Sequence, residues 1–406
     1  MVGKFHNVGL FEGNEKWTKG IERSGSLYSR EDDIRSEFAR DYNRLLHCSA
    51  YSRLKHKTQV FFATLNDHIC TRMEHVTHVN SVSYTIANHL GLNTELTSAI
   101  AIGHDLGHAP FGHEGETVIG NLTREHIDQS FWHEKNSLRF IDDIETLEDH
   151  LGRTWNLSLT YAVRDGIICH CGEVDEQSIH PRPNAIDLET INTKGVLQSY
   201  SGEGCVVKIS DKIAYLGRNI EDALRLNLLS DSQKRKLSKI VRDIGKFDIK
   251  EINNTLLIHR FIIDLCNNST PDNGLIISES HFSLMNSVKD FNYENIYRHP
   301  RVERYKRFVR LVITTIFEVL ADIYDFNKNE LDRRKLQTFR SNYPLLSRTF
   351  EAWLNKYTKR NSTTQKHRAI YDLSSSKDYM RAVLDYLSGM TDQFALQIFN
   401  ETIKFQ

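Results

Sequence analysis

The tightest constraint in this chain is an apolar run that ends in an adjacent histidine and aspartate. Leu96, Ala99, Ile100 and Gly103 form one helical face, and the chain continues His104-Asp105-Leu106-Gly107-His108-Ala109-Pro110-Phe111-Gly112-His113-Glu114-Gly115-Glu116. Gly107, Pro110, Gly112 and Gly115 break that helix and turn the chain sharply. Solvated histidines would need no apolar run leading into them. The pattern therefore reads as a metal-binding pair at a helix end, followed by a loop that aims acid–base groups at the same point.

The flanking segments are consistent with this reading. His75, Val79, Val82, Ile86 and Leu90 share one face of a helix that opens near Arg72 and stops at Gly91. The next helix begins after Asn93 or Thr94, both good N-caps. Two antiparallel helices joined there bring His75 close to His104. Farther on, Ile209, Ile213, Leu216 and Ile220 form a core stripe, with Asp211, Tyr215 and Arg218 on the neighbouring stripe and Lys212 beside them. A carboxylate flanked by apolar turns is costly unless paired or bound to a cation. His133 follows Phe131 and Trp132, which implies partial burial. Cys169-His170-Cys171 lacks the second set of cysteines that a zinc site would need.

Composition narrows the class. The chain has 406 residues and a formal net charge of -1, so it has no broad attraction to nucleic acid or to an anionic membrane. Anion binding must come from local clusters. Arg40, Arg44, Arg53, Lys55 and Lys57 are one candidate for phosphate groups, for which arginine is well suited. Arg301, Arg304, Lys306, Arg307 and Arg310 read as a solvated helix face. The six cysteines show no repeated CxxC spacing, and no apolar run of about 20 residues could span a bilayer. With no signal peptide evident, a cytoplasmic protein with reduced thiols is expected. Six prolines and a pervasive helical period predict an all-α fold, one large globular domain. Within it, residues 1–30 are expected as an N-terminal arm, 31–230 as the core that carries the site, with helical pattern from Glu31, and 231–406 as a helical region completing the site and supplying oligomer contacts.

The order His75, His104-Asp105, Asp211 resembles that of the HD metal-dependent phosphohydrolases. Within them the chain is similar to the deoxyguanosine triphosphate triphosphohydrolases. The similarity covers Arg40 to Val60, Arg72 to Glu116, His133-Glu134, Asp211 to Tyr215 and Gly389-Met390-Thr391-Asp392. It implies an HD-domain helical fold with additional helices, and hydrolysis of deoxynucleoside triphosphates, dGTP favoured, to deoxynucleoside and inorganic triphosphate. It also implies a homo-oligomer, tetramer or hexamer, and a nucleotide or single-stranded DNA effector. Carried over by position, His75, His104, Asp105 and Asp211 would hold one divalent ion. His113, Glu116 and His133 would be the catalytic group, with His108 close by. Arg72, Lys212 and Tyr215 would meet phosphates and sugar, Gln59 the sugar, and Arg53 belongs to the substrate-binding set. Asn219 stands where relatives often carry an aspartate that meets the 3′-hydroxyl. Val76-Thr77-His78 also departs from the usual Ser-Leu-Glu, on a helix surface.

Two imidazoles and two carboxylates leave open positions for water and phosphate oxygen, and suit Mn, Mg, Fe, Ni or Zn. The leaving 5′-oxygen is poor, so a general acid is expected, and His113, three residues before Glu116, fits that role. The competing readings are another HD phosphohydrolase, such as a 5′-nucleotidase or cyclic-nucleotide phosphodiesterase, and a nucleotide- or single-strand-binding regulatory protein.

Overall fold

A computed structural model describes residues 3–28, 33–61, 68–171, 176–245, 254–358 and 364–404. Among them are 17 α-helices and three two-stranded antiparallel ribbons, so the all-α expectation holds. The ribbons join Thr146–Glu148 to Thr154–Asn156, Ser178–Ile179 to Leu275–Ile276, and Tyr324–Asp325 to Glu330–Leu331. Among the described residues, no helix is long and apolar enough to cross a membrane.

Three helices set the frame of the site. The first, Arg72–Leu90, opens on a reciprocal cap in which Thr71 Oγ1 accepts from the Glu74 amide and Glu74 Oε2 accepts from the Thr71 amide. It ends at Gly91, which sits at φ 85, a left-handed conformation that glycine adopts without strain. The second, Thr94–Gly103, is capped by Asn93, whose side chain accepts from the amides of Glu95 and Leu96. The third, Gly202–Arg225, packs along both. The predicted hairpin at residues 91–93 is therefore present, with Asn93 as the cap.

Two apolar clusters hold the molecule together. One runs from Leu10 to Phe399 in sequence and the other from Phe5 to Ile296. Both draw on residues from either side of position 230, so the packing has no seam there. The N-terminal segment differs from its expectation as an arm. Phe5 and Leu10 are buried, the Phe5 amide donates to Leu90 O at 2.7 Å, and Glu203 Oε1 accepts from the amides of Leu10 and Asn93 at 2.9 Å each. The burial of Phe5 and Leu10 and these hydrogen bonds hold the segment against the frame helices despite its glycines and charge. Glu31 lies outside the described residues, and the first long helix begins at Glu37.

At Gly107 the turn after His104 is packed too closely to admit a side chain. A Cβ built on Gly107 would lie 2.0 Å from the Ser137 amide nitrogen, a backbone atom that cannot rotate away. Gly107→Ala should destabilise the protein by about 3 kcal/mol, an overpacking effect with displaced backbone. Urea unfolding of the metal-free protein measures it. A change under about 0.5 kcal/mol, the level of an ordinary surface substitution, would show that the turn gives way.

Candidate active site and metal centre

Arg72–Leu90, Thr94–Gly103 and Gly202–Arg225 converge at one point. His75, His104 and Asp211 each place a ligand-type atom so that all three lie within 4.8 Å of one another. His75 Nε2 is 2.9 Å from Asp211 Oδ1. Asp105 closes the group, with Oδ2 3.8 Å from His75 Nε2 and 3.7 Å from His104 Nε2. Arg72 anchors that same oxygen at 2.8 Å and donates to the carbonyls of Thr58 and Gln59.

Whether these residues fit a cation is answered by the nitrogen atoms they present. His104 Nδ1–H donates to Ala101 O at 2.6 Å, which leaves the Nε2 lone pair directed at the group. That Nε2 is buried and has no hydrogen-bond partner. An orphaned imidazole lone pair beside carboxylates is what a metal site requires. The Gln59 amide lies 3.0 Å from His75 Nδ1, and its Oε1 is a second buried orphan. Rotating that amide would let Oε1 accept from Nδ1–H, freeing His75 Nε2 as a ligand.

Electrostatics divide the neighbouring groups. Burial pushes the His104 imidazole down to about 4, so it is neutral at physiological pH. Burial alone would raise the Asp105 carboxyl, but Arg72 and the surrounding imidazoles hold it well below the usual range. The same contest ends the same way at Asp211, where the His75 hydrogen bond and charge bring it down to about 2.

Beside this group lies a second one. His108, His113, Glu116 and His133 place ligand-type atoms within 4.8 Å of each other. Glu116 Oε2 is 2.9 Å from His133 Nδ1 and 3.5 Å from His113 Nδ1. The His108 and His133 rings stack at 4.1 Å. His113 is mostly exposed, while His108 and His133 are buried. Burial would lower His133, but the Glu134 and Glu116 carboxylates outweigh it and pull the imidazole up to about 9. The backbone around this group is fixed from outside. Lys57 Nζ donates to the carbonyl of His108, and to that of Ser388 at 3.2 Å. Asp392 accepts from the amides of Phe111 at 2.8 Å and Thr58 at 2.9 Å.

A cavity of about 700 Å³ opens over both groups, within the size range of small-molecule sites. Gln59, Arg72, His75, Asp105, Asp211 and Tyr215 line it, as do Asn219, His108, His113 and His133. Glu116 instead faces an adjoining cavity of about 550 Å³ that shares His113. Two expected substrate residues are elsewhere. Arg53 pairs with Glu145 at 2.7 Å and covers the Phe140 ring, away from the cavity, because a buried carboxylate outcompetes an open site for it. Lys212 is buried next to the lining without forming part of it. The far wall was not foreseen in the sequence. Lys289, Tyr293, Tyr297 and Tyr305 line it from the Glu279–Asn292 helix and the segments that follow. Those segments carry an ordinary amphipathic pattern, and only tertiary packing gives them a place at the site. His170 was another, set aside because its two cysteines make no zinc set. It too lines the cavity.

With this geometry in hand, comparisons with known proteins agree. Residues 72–216 match the HD domain, and residues 345–401 match the phosphohydrolase-associated domain. A deoxyguanosinetriphosphate triphosphohydrolase-like protein of Desulfatibacillum aliphaticivorans is 35% identical over 302 residues, 74% of this chain and 75% of the relative. One from Caldanaerobacter subterraneus subsp. tengcongensis is 30% identical over 94% of this chain and 90% of its own length. One from Clostridium tetani is 29% identical over the same shares. The chain belongs to the deoxyguanosinetriphosphate triphosphohydrolase-like family of HD-domain phosphohydrolases. HD domains are metal-dependent, and in this member the buried His/Asp cluster is the group that could hold the ion.

The His133 shift makes a signed prediction about stability. A histidine raised in the folded state contributes stability that is complete below its ordinary value of about 6.5 and is lost as pH rises through about 9. Thermal melts with chelator present should therefore show wild type most stable relative to His133→Gln near pH 6, with the difference shrinking steadily toward pH 10. A difference that is flat with pH would contradict the ion pairing described here.

Proposed function

We propose that the protein hydrolyses deoxynucleoside triphosphates, dGTP favoured, to the deoxynucleoside and inorganic triphosphate. The observation that carries the reading is the convergence of His75, His104, Asp105 and Asp211 beside the His113–Glu116–His133 group, under one cavity that also holds Tyr215 and Asn219. His75, His104, Asp105 and Asp211 would hold one divalent ion. Bound there, the ion would polarise the α-phosphate and lower the pKa of a coordinated water.

The side chains supply the rest. Arg72 and Lys289 stand in or at the cavity as cations for a triphosphate chain. His113 would give its proton to the departing 5′-oxygen. Glu116, in reach of both His113 and His133, would hold the His113 ring and its tautomer. His133, protonated at neutral pH, would offset charge on the phosphate.

Sugar selection would rest on Tyr215 and Asn219. Asn219 Nδ2 donates to Tyr297 OH at 2.5 Å, and its Oδ1 is buried without a partner. The amide thus presents an acceptor to a 3′-hydroxyl, the same polarity as the aspartate that relatives often carry. Tyr215 packed against C2′ would leave a 2′-hydroxyl without room.

Incubating the protein with each deoxynucleoside triphosphate and Mn²⁺, then separating the products, tests the reading. Triphosphate and nucleoside are expected, with Asp211→Ala inactive. Release of phosphate or pyrophosphate instead would assign a different HD phosphohydrolase activity, and hydrolysis of GTP at the dGTP rate would refute the sugar argument. His113→Ala should lower kcat by about 10² to 10⁴, the usual range for general acid–base catalysis, with KM little changed. Normal single-turnover chemistry in that variant would move the proton-donating role to His133.

A further inference from the structure

The second cavity, about 550 Å³, meets the main one at His113 and Thr117, which line both. Nothing in the chemistry above uses it. One wall is a face of the Gly112–Ile127 helix, where His113, Glu116, Gly120 and Arg124 follow one another at helical spacing. The rest of the lining comes from residues 130–132 and 192–194. The latter segment is held in place. Lys135 Nζ donates to Ile191 O at 3.1 Å and to Asn192 Oδ1 at 2.7 Å, and it lies over the Trp132 ring. With its oxygen engaged by a cation, the Asn192 amide keeps its N–H groups as donors.

The charge of this lining is one-sided. Its one carboxylate is Glu116, which is balanced by the His133 imidazole that it helps to raise to about 9. Arg124 and Lys194 add positive charge. Arg124 is exposed and has no carboxylate within ion-pair distance among the described residues. Lys194 Nζ stands 4.0 Å from Glu116 Oε1, at the boundary with the acid–base group. Two cations and fixed amide donors around a volume of this size suit a compact anion of several charges.

Hydrolysis at the α-phosphate would leave two products of unlike chemistry. The nucleoside would stay against Tyr215 and Asn219 in the main cavity. The triphosphate would be freed beside His113, where the two cavities meet. The His113 side chain is 61% exposed, so its ring has room to turn aside.

We propose that the second cavity is a binding site for inorganic triphosphate on its way out, held by Arg124, Lys194 and the Asn192 amide. The identity of the anion rests on the hydrolysis reading above.

Calorimetric titration of the full-length protein, freed of divalent ions, with inorganic tripolyphosphate alone tests it. Wild type should bind the anion, and Arg124→Gln and Lys194→Gln should each weaken binding about tenfold, the scale of one hydrogen bond to a charged group. Arg124 is on a helix surface, so its replacement leaves the core untouched. In steady state, added tripolyphosphate should slow wild type even at saturating deoxynucleoside triphosphate, and Arg124→Gln should escape much of that inhibition. No binding by wild type, or wild-type affinity in both variants, would overturn the proposal. So would inhibition that saturating substrate removes completely, because the anion would then occupy the main cavity. The titration contains no substrate and is separate from the test of the hydrolysis reading. Release of pyrophosphate from deoxynucleoside triphosphates would sink that reading, whereas an Arg124-dependent affinity for tripolyphosphate would still assign the anion site.

Discussion

The site depends on a carboxylate held out of water. Asp105 is 2% exposed, and its charge is met by Arg72 at 2.8 Å and by four imidazoles that approach it within 4.0 Å. No single partner suffices in so dry a position. His75 and His133 lie on the Arg72–Leu90 and His133–Arg139 helices, and His104 and His108 on the turn that follows Thr94–Gly103. His75, His104 and His133 are oriented through Nδ1 by the Gln59 amide, the Ala101 carbonyl and the Glu116 carboxylate, while His108 stacks on His133. Arg72 ties the aspartate to the 58–59 backbone as well, so the negative charge also fixes the wall of the cavity.

Four imidazoles in one small volume cannot all carry a proton. Burial drives His104 and His108 down, and Arg72 adds to the effect at His108. His133 goes the other way because Glu134 and Glu116 flank it. One side of the site is therefore supplied with neutral nitrogen lone pairs and the other with a proton held near two carboxylates. This is the separation that metal-assisted phosphoester cleavage needs, with electrophile binding on one side and proton handling on the other. It arises from where Glu116 and Glu134 sit, since the four rings are chemically the same.

How much of this was legible in the sequence depends on how local each signal is. The His75 stripe, the Asn93 cap and the turn through Gly107 and Pro110 are written within a few residues and appear as read, whereas Gly112 and Gly115, expected as breakers, open and continue the Gly112–Ile127 helix that carries His113 and Glu116. Asp211 was recognisable as a carboxylate among apolar turns, though its partner His75 lies 136 positions earlier, reached only by packing of the Arg72–Leu90 and Gly202–Arg225 helices. Arg53 shows the limit. Its position in a basic stretch suggests phosphate, but Glu145, a distant residue, claims it. The N-terminal segment misleads in the other direction, because its few apolar residues match a groove that no periodicity announces. Lys289 and Tyr297 carry no local mark at all, being ordinary positions on helices that happen to close the cavity.

The remote end of the chain completes the site by a comparable long-range tie. Phe111 sits at φ 66, a left-handed conformation that a bulky side chain adopts at a cost of about 1–3 kcal/mol. It precedes the helix that carries His113 and Glu116, so its backbone angle sets where those side chains point. Its amide is held by one oxygen of Asp392, while the other oxygen holds the amide of Thr58, next to Gln59. The acid–base turn and the Gln59 segment are thus clamped to the same carboxylate, at the N-terminus of the Asp392–Ile403 helix, where a negative charge is favoured. A strained turn persists only where its surroundings over-determine it. Here a residue 281 positions away does so, which is why the last helices cannot be separated from the chemistry carried by the first half of the chain.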